Sequence, residues 1–126
     1  MKAKAVRSRV NNRNIIAKQM SDEIQDIVES GIIDGEIFGK YSRKSFGEEL
    51  DGQQVTDVVE SFVKYAVKLM WEAKALTDDR DKTGKPLPKA RQEINFAEAD
   101  RLSEESLHLV EIMLDLVRRA ARTVAN

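Results

Sequence analysis

The chain has 126 residues, a length that suits one domain and suffices to bury a core without disulfides or metals. Its 41% hydrophobic and 34% charged residues are globular rather than disordered in character, and 21 basic against 22 acidic residues leave no net charge that names a polyanionic partner. With no cysteine and one histidine, the sequence excludes disulfide frameworks, thiolate metal sites, cysteine nucleophiles and most hydrolytic triads.

The amino-terminal stretch carries Lys2, Lys4, Arg7, Arg9 and Arg13, then Lys18, with no acid before Asp22. No apolar run follows these charges, so they read as no secretory signal. A basic flexible arm over residues 1–13 is expected, ahead of a single helical bundle domain over 14–126. Such an arm would neutralise phosphates and bind nucleic acid with little sequence preference.

Ile16, Met20, Ile24, Ile27 and Val28 recur at helical steps and predict a first long amphipathic helix over about 14–30, closed by Gly31. Asp34-Gly35 then lies between two short apolar pairs. A lone two-stranded hairpin is marginal in water, so a buried loop is expected here. Ser45-Phe46-Gly47-Glu48 has capping-box spacing and predicts a short helical turn near 46–51.

A second long helix is expected over 53–76, with an apolar stripe from Val55 through Phe62 and Leu69 to Leu76. The charges, Gly84, Pro86 and Pro88 that follow read as an exposed loop over 77–93. Asn95-Phe96-Ala97-Glu98 predicts a third helix over about 95–124, where Arg118, Arg119 and Arg122 complement the helix dipole. The expected class is therefore all-α, with three long amphipathic helices. No apolar run approaches the roughly 20 residues of a membrane span, so no membrane contact is expected, and the lack of cysteine reads as a reducing, cytoplasmic location.

At about 100° per residue, the apolar residues of the third helix cover roughly 220° of its circumference, about twice what a one-sided packing uses. Leu102, Leu109, Ile112 and Leu116 lie on one flank, and Leu107, Leu114 and Ala121 on the other. The bundle is expected to be completed by homodimerisation, with Leu102, Leu109, Ile112 and Leu116 as the self-association surface.

Trp71 falls about 150° from the centre of the second helix's stripe, beside Val67 and between Lys64 and Lys68. An outward tryptophan marks a binding surface, so these four residues form the expected partner-binding site. The alternative is that the loop after Leu76, or the segment around Phe38 and Phe46, folds over the indole.

Glu105-x-x-His108 has the spacing of di-iron carboxylate bundles, yet His108 lies about 155° from the apolar centre, so no metal is expected. Asp79 to Gly84 begins like a calcium loop but has Ala90 where the bidentate glutamate must stand. No phosphate-cradling glycine loop occurs, and no cofactor is expected. The stretch Arg101-Leu102-Ser103-Glu104-Glu105-Ser106-Leu107-His108 resembles the Arg-x(4–6)-His motif of HEPN-type ribonucleases, departing from it in Leu102, where a polar residue commonly follows the arginine. The resemblance implies a dimeric, metal-independent ribonuclease, with His108 as general acid or base and Arg101 stabilising the phosphorane.

The leading expectation is a non-enzymatic helical accessory protein that self-associates and docks onto a protein partner. The alternatives are a ribonuclease using Arg101 and His108, and a nucleic-acid-binding accessory protein using the basic arm.

Overall fold

The computed structural model describes residues 3–30, 33–42 and 52–121. These residues form four helices, α1 (Ala3–Glu29), α2 (Gly35–Ser42), α3 (Gly52–Leu76) and α4 (Lys89–Ala120), with no strand among them. The all-α class read from the sequence holds.

The first helix starts at Ala3, not near Asn14. Val6, Val10, Ala17 and Ile24 follow one another at four- and seven-residue steps and are all buried, so one apolar face runs through the whole helix. Residues 3–13 are thus helical turns rather than a flexible arm. Their arginines are engaged by acids of other elements: Arg7 pairs with Asp79 at 3.1 Å, and Arg9 and Arg13 both reach Asp100. Lys4 stays exposed, and Lys2 lies outside the described residues.

The segment expected to be a buried loop after α1 contains the short helix α2. The carboxylate of Asp34 accepts the Ile37 amide at 3.0 Å, a side-chain cap that satisfies one of the orphan donors at a helix start. The Asp34 amide donates to the Ala120 carbonyl at 2.9 Å, tying α2 to the end of α4, and Phe38 is driven fully into the core. The helical turn expected near 46–51, and the caps at Gly31 and Ser45, lie outside the described residues.

The loop between α3 and α4 covers 77–88 and is built by hydrogen bonds. One carboxylate oxygen of Asp81 accepts the Thr83 amide at 2.8 Å, the Thr83 hydroxyl at 2.6 Å and the Lys85 amide at 3.0 Å. These donors, the Thr83 hydroxyl foremost, hold the Asp81 carboxyl below the usual carboxylate range. Gly84 takes a left-handed conformation, with φ at +86°. The last helix opens at Lys89, ahead of the capping box at Asn95, because Pro88 sets the entry and the Gln92 side chain reaches back to the Leu87 carbonyl at 2.7 Å. It ends where Ala121 turns extended.

Helix α4 is the centre of the fold, with α1 and α3 along two of its flanks and α2 covering its carboxyl end. Ile24, Phe38, Val55, Val59, Val110, Met113 and Val117 form one cluster; Val6, Val10, Leu69, Ala73, Phe96, Ala99 and Leu102 form another toward the opposite end. Ser106 lies fully buried and its hydroxyl donates to the Ala66 carbonyl at 3.0 Å, so a small polar side chain stitches α4 to α3 without an orphan donor.

Most of the residues expected to form a self-association surface on the last helix are packed within the chain. The wide apolar arc of α4 finds three neighbours inside the chain: Leu102 and Leu116 are buried, and Leu109 packs half-buried against the second cluster. Of the four residues, only Ile112 stays exposed.

Candidate functional site

Because α1 and α3 each pack chiefly on α4 and much less on each other, a groove runs between them on the face away from α4. They lie antiparallel: Arg7 of α1 donates to the carbonyl of Thr77 just beyond α3, while Ile24 and Val28 come beside Val59. The groove consists of two linked recesses of about 430 and 370 Å³, which share Gln25 and Val63. Val59, Val63, Val67 and Met70 form its apolar floor. Trp71 stands at one end with 68% of its surface exposed.

The expected partner-binding residues Trp71, Val67 and Lys64 all line this groove, and Lys68 stands on the adjoining exposed face of α3. Neither the loop after Leu76 nor the segment at Phe38 covers the indole, since Trp71 is exposed and Phe38 is buried elsewhere in the core. What the sequence reading missed is the opposite wall, made by Asn14, Lys18, Ser21, Asp22 and Gln25 of α1. Asn14 donates its side-chain amide to the Met70 carbonyl at 3.2 Å, and its Oδ1 is buried without a hydrogen-bond partner. No local signal pairs these residues with Trp71, because the pairing needs the α1–α3 register.

Charge is distributed unevenly along the groove. The recess beside Trp71 is lined by Lys18, Asp22 and Lys74, and the far recess by Glu29, Glu60 and Lys64, so one end carries a net positive charge and the other a net negative one. Antiparallel packing causes this, since the basic half of α1 lies beside the basic half of α3. Lys18 is paired with Asp22 at 2.7 Å, and Lys68 lies 3.9 Å from Glu72. Among the described residues, Lys64, Lys74 and Glu60 have no ion-pair partner.

Arg101 and His108 do share a recess, with Arg13, Glu104, Glu105, Leu107 and Glu111. Arg101, however, is held by Glu98 and Glu105, and Glu98 raises its already high pKa further. A guanidinium neutralised by two carboxylates, in a recess lined by three glutamates, is a poor receptor for a phosphodiester. Of the residues expected to meet nucleic acid, Arg7, Arg9 and Arg13 are ion-paired within the chain and Lys4 is exposed. Among the described residues no group of His, Asp or Glu is placed to hold a metal, and no helix is long and apolar enough to cross a membrane.

Another recess, of about 730 Å³, is walled by Tyr41, Phe62, Ile112, Leu116 and Arg119, with Arg119 over the Tyr41 ring at 5.7 Å. It adjoins the end of α2, after which the described residues break off until Gly52. Comparison of the chain with protein-family models, with curated proteins and with solved structures found no match.

Proposed function

We propose that this protein is a non-enzymatic helical interaction protein whose working surface is the groove between α1 and α3. The observation that carries the reading is Trp71, exposed at 68% beside an apolar floor formed by Val63, Val67 and Met70. A large rigid indole left in water next to an apolar trough supports a docking role, because its burial against a partner yields more than that of any other side chain. The segment of α1 from Asn14 to Val28 is about 20 Å long, which fits one amphipathic helix of about 14 residues. The absence of cysteine accords with a reducing compartment such as the cytoplasm.

The test is an aromatic photo-crosslinking residue, benzoylphenylalanine, which keeps a large apolar ring in place of Trp71, irradiated in the cell that makes the protein. A covalent adduct to a polypeptide is expected from position 71 and not from the exposed control position Arg91. Absence of any adduct from position 71 would overturn the reading.

A further inference from the structure

We infer that the occupant of the α1/α3 groove is a second copy of this chain, laid antiparallel across it about a two-fold axis near Val67. This rests on the reading of that groove as the working surface, and the argument from charge is independent of Trp71. Two symmetric ways exist to lay the groove on itself. An axis running along the helices stacks the net-positive end of one copy, with its Lys74, on the same end of the other, and the net-negative ends likewise. An axis running across the helices exchanges the ends, and each basic end meets an acidic one. Only the second is electrostatically complementary, and like-charge juxtaposition is strongly selected against at interfaces.

The register follows from α3. Glu60, Lys64, Val67, Trp71 and Lys74 recur at alternating four- and three-residue steps and so share one face of α3, with the apolar Val67 and Trp71 between Lys64 and Lys74. Centring an antiparallel α3 pair on Val67 sets Trp71 over Val63 of the second copy, and Lys74 opposite its Glu60. Each of these two charges lacks an ion-pair partner among the described residues. The self-association expected from the sequence is thereby moved from α4 to α3.

The available area is sufficient. The 25 residues of α3 make a helix about 38 Å long, and two such helices side by side present a face of about 750 Å². A stable interface buries about 600–1,000 Å² per partner.

Sedimentation equilibrium of the full chain at micromolar concentration is expected to give twice the monomer mass. Trp71→Ala, with circular dichroism confirming retained helix, should weaken the dimer by about thirtyfold or more, as expected for an aromatic anchor. Lys74→Glu alone and Glu60→Lys alone should each weaken self-association by about tenfold, while an equimolar mixture of the two should pair with near wild-type affinity, because both contacts are complementary in the mixed dimer. A monomeric wild type, or a mixture no tighter than either variant, overturns the inference. An adduct of twice the chain mass from the crosslinker at position 71 supports it. An adduct to a different polypeptide overturns it while leaving the docking role of the groove standing.

Discussion

Arg13 donates through one nitrogen to both the backbone carbonyl and the carboxylate of Asp100, at 3.0 and 2.6 Å, and so clamps the amino half of α1 to α4. Arg9 reaches the same carboxylate at 3.2 Å, and the Arg13 nitrogen also meets the Ser103 hydroxyl at 3.0 Å. Asp100→Ala leaves two arginines without their carboxylate and should lower stability by about 1–2 kcal/mol, a charge-assisted value discounted for the partial exposure of the site. Urea unfolding would read the loss, and an unchanged midpoint would show that the cluster is only decoration.

The same cluster makes a pH-dependent contribution. Arg9, then Arg13, hold the Asp100 carboxyl below its ordinary value, against the opposing effect of desolvation. A carboxyl whose pKa is depressed by folding adds stability that is present above its unfolded pKa, about 3.9, and that is lost as the pH falls through the folded value. The urea midpoint of the wild type should therefore fall more steeply below pH 4 than that of Asp100→Asn. Parallel curves for the two proteins would contradict this.

Phe38 is the only large side chain of α2 that is fully buried, and it packs among α3 and α4 residues. Phe38→Ala should cost about 3–5 kcal/mol by loss of apolar contact and residual cavity. Hydrogen exchange should show the amides of α2 losing protection before those of α4. Uniform loss across both helices would mean that α2 is not a separable element.

Truncation gives a third measure of how the chain starts. Deleting residues 1–9 removes the buried Val6 and the ion pairs of Arg7 and Arg9, and is expected to cost about 2–3 kcal/mol. A freely hanging arm would come off at no cost in the thermal midpoint.

His108 is exposed and has no hydrogen-bond or ion-pair partner among the described residues. His108→Ala should change stability by less than about 0.5 kcal/mol. The purified protein should leave single-stranded RNA intact in EDTA; cleavage that depends on both Arg101 and His108 would revive the ribonuclease reading.

Long, densely apolar elements were legible in the sequence: the stripe of α3 from Val55 to Leu76 and the helical nature of α4 both follow from period alone. The start of α1 was not, because Val6 and Val10 are thinly spread among arginines whose acceptors, Asp79 and Asp100, come from far along the chain. Asp34-Gly35 has the same residues as a hairpin turn, and only the buried position of Phe38 decides for a helix cap. The breadth of the α4 arc was read correctly as a demand for several neighbours, but a single sequence does not state whether those neighbours lie within the chain. Trp71 was legible as an outward residue, whereas the wall facing it required the register of two helices.

The lone tryptophan also determines what optical measurements will see. Its indole is already in water in the free folded chain, so denaturation alters its surroundings little, and emission recorded through unfolding should be almost flat. Occlusion of the groove, in contrast, transfers the ring into an apolar setting and shifts its emission to the blue. The chromophore therefore reports association more than the folding of a single chain, so a dilution series monitored by its colour reads separation of the copies while the helices stay folded.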